Sequence, residues 1–491
     1  MVDTCTVSRK NESSIEPSLK WCSVSLGEII SHGKRLEASV YDIEAKQARQ
    51  FIKSGKYPLI MLGGENGLAS SYTGARFKRI WVEESDYPIY QPSSILDIKP
   101  KPDGYISYLT KTNIESLRVK KGQVLMTCSG TIGKVSYVSD TLDNKIFSHD
   151  LLRIDCKDPV DQGYIYTYLK GKTGNKILLT NRYGAVVTHI EPEHLAAVPV
   201  PNAPYEIKKK IHDLVVQSYE LRDESNRMID QATDLLKREL SLPEIRGFDK
   251  VPCKKKDELR AFHVKLSNLD GRMDASYHLP IVDAIVGHMS KYAEEITEVG
   301  HSRISKEVVL PPRFARVYVE EGYGRVLIGG KQIHELDPSG KKYLSHTKHK
   351  EILSKLEVHE NTSLITRSGT VGKVALVPKH WEHWIPSDHI IRVVPANEGI
   401  AGYLNIFLAS DYGYQLIKHC TYGSVVDEID DSHVRRIPVP LLKDKKMQEK
   451  INALALGANE KRYEAYKLEQ QALGIMDKEV LYAGENPEST S

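Results

Sequence analysis

An α+β fold written twice is what this sequence predicts: two tandem β-rich units, each followed by a long helix, with the two helices pairing as an antiparallel coiled coil. Three observations predict it. The first is a repeat. SGTIGKV at Ser129–Val135 returns as SGTVGKV at Ser368–Val374, 239 positions on, and that offset holds downstream. Ser148 with LLRI returns as Ser387 with IIRV, Tyr164 in YIYTYL as Tyr403 in YLNIFL, and YGAVVTHIEPEHLAAVPVP from Tyr183 aligns without a gap on YGSVVDEIDDSHVRRIPVP from Tyr422. Upstream the offset is 237, relating RLEAS at Arg35 to RMDAS at Arg272 and RFKRIWVEE at Arg76 to RFARVYVEE at Arg313. A period this long exceeds the roughly 20–50 residues of solenoids, so each copy reads as a domain with its own core.

The second observation is the local pattern. QVLMT and KVSYVS flank the glycines of the heptapeptide with β-branched and aromatic residues, which predicts a hairpin whose turn uses glycine at positive φ. A phosphate-binding P-loop is excluded, because Gly130 and Gly133 are too close and Lys134 is followed by Val135 rather than Ser or Thr. The third is a helical period after each PVP. From about Tyr205 to Leu240, one heptad row holds Ile207, Leu214, Leu221, Met228 and Leu235, and a second holds Ile211, Ser218, Ser225 and Ala232. The second helix repeats this with Met447, Leu454, Lys461, Leu468 and Ile475 beside Ile451, Ala458, Ala465 and Ala472. Small residues at every seventh position allow close backbone approach, so the expected pairing contacts are Leu214, Ser218, Leu221, Ser225 and Ala232 against Leu454, Ala458, Ala465, Leu468 and Ala472. About 36 residues at 1.5 Å each make a rod on the order of 54 Å.

The resulting division is a tail at 1–20, a first unit at 21–203, its helix at 204–241, a Pro/Gly/Lys-rich linker at 242–256, a second unit at 257–442, its helix at 443–481, and a disordered tail at 482–491. Net charge is +3 and the isoelectric point near 8.3, so nothing global demands an anionic partner. No apolar run approaches the roughly 20 residues that span a bilayer, and the N-terminus carries no hydrophobic signal region; a cytoplasmic protein with no membrane partner is expected. The six cysteines are scattered without a C-x-x-C pair, which argues against a disulfide scaffold or a cysteine zinc site.

Catalytic patterns fail one by one. LPPRF at Leu310 begins with the wrong residue for an adenine methyltransferase and has no glycine-rich partner upstream. DEIDDSH at Asp427 is acidic, but its counterpart is THIEPEH, so a shared metal site is not expected. SHD at Ser148 and SDH at Ser387 exchange His and Asp between copies, and a helix cap or strand-end hydrogen bond explains them as well as a triad does.

In their order, repeated twice, these segments resemble the DNA specificity subunit of type I restriction–modification systems and its relatives. The resemblance rests on SGTIGKV and SGTVGKV, on YGAVV and YGSVV leading to PVP, on RLEAS and RMDAS, and on each closing helix. It implies that each copy is a target recognition domain reading half of a split double-stranded DNA site, with the helices as a ruler. It further implies a non-catalytic chain that binds no cofactor itself. Two docked DNA methyltransferase subunits would bring S-adenosylmethionine, and a restriction (translocase/endonuclease) subunit, a further candidate partner, would bring ATP. Readers on successive turns of one groove sit about 34 Å apart, a distance such helices can set. A DNA-modifying effector with an active site of another kind, and a scaffold that has lost DNA binding, are the alternatives.

Segments that differ between copies are the candidates for base reading. Arg suits guanine and Gln suits adenine, which selects Arg76, Lys78, Arg79 and Arg182 in the first copy and Arg313, Arg316, Arg325 and Gln332 in the second. Arg79 and Arg316, shared and beside VEE, have internal ion pairing as the alternative reading. Tyr105, Tyr108 and Lys111 are the natural contacts of the first divergent stretch. Lys331, Lys341 and Lys342, with Lys348 and Lys350, mark a phosphate-facing patch in the second.

Overall fold

The computed structural model describes residues 23–31, 34–184, 188–245, 262–269, 271–423 and 425–482. The expected tail at 1–20, most of the linker, Cys5, Cys22, Cys253, parts of the YGAVV and YGSVV loops, and the C-terminal tail beyond Tyr482 lie outside these residues.

Every sheet occurs twice with one strand order. In the first copy a four-stranded antiparallel sheet runs Ala69–Thr73, Leu151–Cys156, Val124–Thr127, Val135–Tyr137; in the second it runs Ser305–Val309, Ile390–Pro395, Ser363–Thr366, Val374–Leu376. A smaller sheet ordered Trp81–Val82, Gly104–Ile106, Pro88–Tyr90, Ile146–Phe147 matches Tyr318–Val319, Lys342–Ser345, Gly324–Ile328, Ile385–Pro386, and in both the last pair is parallel. The PVP segments form short two-stranded ribbons, Pro199–Pro201 with Leu59–Met61 and Pro438–Leu441 with Glu295–Glu298; such pairings tolerate proline because the missing N–H can face outward.

The heptapeptide hairpin is present in both copies, with Val124 opposite Tyr137 and Ser363 opposite Leu376. Gly130 and Gly133 adopt φ of +69° and +79°, and Gly369 and Gly372 adopt +72° and +88°, values that disfavour any other residue. The arginines of LLRI and IIRV are buried and tie the large sheet to its neighbours: Arg153 donates to the carbonyls of Leu117, Phe147 and Leu151, Phe147 being in the small sheet, and Arg392 donates to those of Lys355 and Glu357 at the end of the helix His346–Leu356.

Helices at Pro159–Lys170 and Glu398–Ala409, within YIYTYL and YLNIFL, were not anticipated by the pattern. They are buried all round, so no amphipathic period marks them, and their Tyr and Ile content resembles a strand. Each lies against its long helix at a glycine: a Cβ at Gly163 would meet the His212 Cα at 2.6 Å, and one at Gly402 the Asn452 carbonyl oxygen at 2.4 Å.

The long helices span Tyr205–Glu239 and Lys445–Ile475, the second continued by a π-helical turn at Met476–Leu481. They lie side by side in opposite directions. Lys210 pairs with Glu479 (3.0 Å), Ser218 Oγ donates to the Ala465 carbonyl (2.7 Å), Arg222 pairs with Glu469 (2.8 Å), and Arg462 Nε donates to Ser225 Oγ (3.3 Å). The small rows occupy the centre of this contact: Ile211, Ser218, Ser225, Ala232, Ile451, Ala458, Ala465 and Ala472 are all fully buried. Leu214, Leu221, Leu454 and Leu468 flank them half-buried.

Each copy has its own core, but neither core is built by its own copy alone, because each long helix starts on its own copy and ends inside the other. Ala232, Leu235, Leu236, Leu240 and Leu242 join the second copy's core, and Ala472, Met476, Val480 and Leu481 join the first. Antiparallel helices of this length reach past each other's origin. Residues 242–245 belong to that packing rather than to a free linker: the Pro243 carbonyl accepts from Tyr412 OH and Ile245 touches the second core.

The copies also meet directly at mid-strut. Ile98 N donates to the His334 carbonyl (2.9 Å), Asp97 and Glu335 form an antiparallel bridge, and Lys134 of the first heptapeptide pairs with buried Glu335 (3.0 Å). Lys373 of the second heptapeptide acts electrostatically on Asp97, completing the reciprocal arrangement. Burial pushes the Asp97 carboxyl up to about 6; Lys373 opposes this and Glu335 adds to it. A folded-state value above the ordinary 3.8 gives a stability contribution that is complete at low pH and is lost as pH rises through 6. Asp97→Asn should therefore flatten the fall of the urea midpoint as pH rises from 3.8 to about 6; an unchanged profile would place the titration elsewhere.

Candidate nucleic-acid interface

The two segments that resemble each other most between copies fold onto one another. Gly130 N donates to the Thr188 carbonyl (3.1 Å), Thr188 Oγ1 donates back to the Gly130 carbonyl (3.0 Å), and His189 bridges to both Ser129 and Tyr183. In the second copy Gly369 N donates to the Asp427 carbonyl (3.2 Å), and Glu428 bridges to Ser368 and Tyr422. The arginines of RLEAS and RMDAS support the same loops from behind: Arg35 donates to the Arg182 carbonyl (2.6 Å), and Arg272 to those of Cys420 (3.1 Å) and Thr421 (2.6 Å). These shared residues build a platform.

The charges on the two platforms differ. In the second copy Asp388 pairs with Arg316 and lies 3.3 Å from Arg313, while Arg367 binds Glu428 at 2.5 Å and Glu428 lies 3.9 Å from Arg313. In the first copy the matched positions hold His149 for Asp388, His189 for Glu428 and Cys128 for Arg367. There His149 lies 3.4 Å from Asp150, and burial holds its imidazole below the ordinary value, with Arg79 and Arg76 lowering it further against Asp150. Among the described residues Arg79 makes no ion pair of the kind Arg316 makes, and its buried Nε has no hydrogen-bond partner; its guanidinium lies about 6 Å over Phe77 and Trp81. Among the described residues the same scaffold thus carries ion-paired arginines in the second copy and leaves Arg76 and Arg79 without an acid partner in the first.

The other candidates divide between this face and the contact between copies. Arg76 and Lys78 are exposed, and the strand after them pairs with the strand carrying Tyr105, with Tyr108 and Lys111 exposed just beyond. Arg182 is half-buried beside the platform residue Tyr183. Arg325 lies in the second small sheet opposite Leu344, and Lys342 stands over the Tyr318 ring at 5.5 Å. By contrast, Gln332 spends its amide on its own turn, accepting from Gly329 N and donating to the Ser339 carbonyl. Lys341 pairs with Asp337 (2.5 Å), whose other oxygen accepts from Gln470 of the second long helix (3.2 Å). Lys331 is exposed on that same mid-strut segment, and Lys348 and Lys350 lie in the helix His346–Leu356.

Composition alone did not single out the exposed apolar residues beside these cations: Ile80, Trp81 and Val82 in the first copy and Val317, Tyr318 and Tyr323 in the second. The alternation of Arg or Lys with exposed aromatics in RFKRIW and RFARVY is the signal that could have found them. DEIDDSH and its counterpart are caps, not ligand clusters: Asp430 with His433 and Glu191 with His194 form reciprocal capping boxes on the helices Asp431–Arg435 and Pro192–Ala196. The described thiols are not reactive candidates, since burial raises Cys128 to about 11 and Cys420 to about 12, and pushes Cys156 higher still.

No protein-family model and no curated protein matches this chain. Three solved structures similar to it come from type I restriction–modification systems. The S subunit from M. genitalium shares 13% identity over 86% of this chain and 95% of its own, with a TM-score of 0.28. The HsdS subunit from Thermoanaerobacter tengcongensis shares 12% over 87% and 100%, at 0.25. A chain from a structure of type I system assembly and conformational transition shares 12% over 88% and 99%, at 0.27. With TM-scores this low the overlap assigns no residue role here. Among the described residues no helix is long and apolar enough to cross a membrane.

Proposed function

We propose that this chain is the non-catalytic, sequence-specific DNA-binding subunit of a type I-like restriction–modification complex. Two tandem target recognition domains read the halves of an asymmetric, bipartite duplex site, and the antiparallel coiled coil sets their separation and docks methyltransferase subunits. A restriction subunit is a further partner of the same assembly. The observation that carries this reading is the repetition of one platform, with unlike side chains and ion pairing, on opposite halves of a two-way helix pair. Two readers in inverted frames see the two strands of a duplex alike, and different side chains on them select different half-sites. The doubled motifs of the sequence support it.

The test has two arms. Incubated alone with duplex DNA and labelled S-adenosylmethionine, the chain transfers no methyl group; transfer by the chain alone would make it an effector instead. Footprinting of the complex reconstituted with methyltransferase subunits gives two protected patches with an unread spacer, and one patch or none would overturn the bipartite reading.

The difference in ion pairing between platforms gives a sharper expectation. Arg76→Ala and Arg79→Ala each lower the slope of log K against log[salt] by about 1, the value of one phosphate contact. Arg313→Ala and Arg316→Ala change it less, because both guanidinium groups are already ion-paired with Asp388. Equal slopes for the two pairs, measured by fluorescence anisotropy, would contradict the assignment.

A further inference from the structure

Far from both platforms, at the opposite end of the strand Ser363–Thr366 from the Ser368 turn, three side chains with metal-binding chemistry converge. His359, Glu382 and His383 bring their ligand atoms within 4.8 Å of one another. His359 Nδ1 and Glu382 Oε1 are 2.6 Å apart, and the two imidazole centroids are 5.7 Å apart with the rings nearly perpendicular. We propose that these three residues hold one divalent transition-metal ion of the zinc class.

Ligand type and surroundings carry the proposal. Two imidazoles and a carboxylate are a borderline donor set that suits Zn²⁺ and its neighbours rather than Mg²⁺ or Ca²⁺. A tetrahedral ion with bonds of about 2.0–2.2 Å spaces its ligands about 3.4 Å apart, so small rotations of these partly exposed side chains close the site. Their side chains are 56%, 37% and 44% exposed, which leaves water as the remaining ligand. The outer shell is also present. His383 Nδ1 lies 2.8 Å from Glu357 Oε2, an arrangement that fixes the tautomer and leaves Nε2 as the ligand atom. Glu382 is oriented by the Glu360 N–H, which donates to its second oxygen at 2.7 Å.

The first copy is an internal control. Its corresponding turn has the same backbone: Asn144 adopts φ of +61° where His383 adopts +66°, and Asp143 accepts from Lys121 N where Glu382 accepts from Glu360 N. Yet the positions of Glu357, His359 and His383 hold Arg118, Lys120 and Asn144, none of which ligates zinc. The turn is therefore the fold's, and its ligand set belongs to the second copy alone. What the ion does follows from its place. The adjacent Asn361 accepts from Asn459 of the second long helix (3.1 Å), so an ion at this turn braces the second reader where it rests on the strut.

The untagged full-length chain, titrated with Zn²⁺ in a calorimeter, should bind one ion at this turn, and Co²⁺ should give a visible absorption band with the same stoichiometry. The double variant His359→Lys, His383→Asn, which copies the first repeat's turn, should lose that ion and band. Glu357→Gln should keep the stoichiometry and weaken binding by about 10–100-fold, as outer-shell changes do. Should the double variant fold poorly, Glu382→Gln carries the same test, since it retains an oxygen for the Glu360 N–H. Absence of binding by the parent chain, or binding of equal strength in the variants, overturns the proposal.

Discussion

Replacing Ser218, Ser225 and Ala232 together by leucine is expected to unfold the strut or drive its helices apart. All three positions are fully buried at the centre of the helix contact, and Ser218 Oγ donates to the Ala465 backbone at 2.7 Å. Overpacking costs about 1–3 kcal/mol per site, so three sites cost about 3–9 kcal/mol. A natural domain has only about 5–15 kcal/mol to lose. The cost is not confined to the strut, because Ala232 belongs to the core of the second copy and its helix ends there. Urea unfolding followed by circular dichroism should show a sharply lowered midpoint, and any variant that still assembles should prefer a different spacer length. An unchanged midpoint together with an unchanged spacer would remove the strut from the account.

The second large effect is electrostatic. Glu469 is 1% exposed and binds Arg222 (2.8 Å), Lys170 (2.7 Å) and Tyr166 OH, which makes it the one acid of a buried cluster shared by the second long helix and the first copy. Burial alone would raise its carboxyl, but Arg222 and Lys170 prevail and hold it down to about 2. Removing the acid leaves buried cations without their partner, and Glu469→Gln should cost about 3–5 kcal/mol at neutral pH. The sign of the pH effect follows. A carboxyl depressed below its ordinary 4.5 contributes stability that is complete above that value and is lost as pH falls toward 2. The parent chain should therefore lose stability on acidification through this window, and Glu469→Gln should lose less. A variant with the parent's midpoint and acid profile would show that the cluster contributes nothing.

At the matched position of the first long helix the residue is Ile229, not an acid, and Arg462, the counterpart of Arg222, is half-buried, with its guanidinium lowered to about 10 by desolvation. The strut is thus symmetric in its small residues and asymmetric in its charges. That combination fits a device whose helices must pair one way while its two ends remain different.

How much of this could be read in advance depended on whether the information was periodic. The long helices, their small rows and the heptapeptide hairpins repeat at fixed spacing, so heptads, glycines and the 239-residue offset located them within one or two residues. The YIYTYL helix was invisible because every face is buried, and burial on all sides leaves no period to see. The candidate interface was only half readable. Arg76, Lys78 and Arg79 could be named from residue type, but the pairing of Arg313 and Arg316 with Asp388 required knowing that Ser387–Asp388 folds beside them.

By itself, the sequence determined that the chain is one design used twice, because side-chain patterns repeated in one order impose the same strands and turns on both copies. Only the tertiary structure decided that the copies exchange helix ends, meet through Lys134 and Glu335 at mid-strut, and pair the arginines of matched platforms differently. Those facts depend on which residues become neighbours after the helices cross. Interactions that join positions some 200 residues apart leave no trace in local composition, since each partner is compatible with many surroundings until packing selects one.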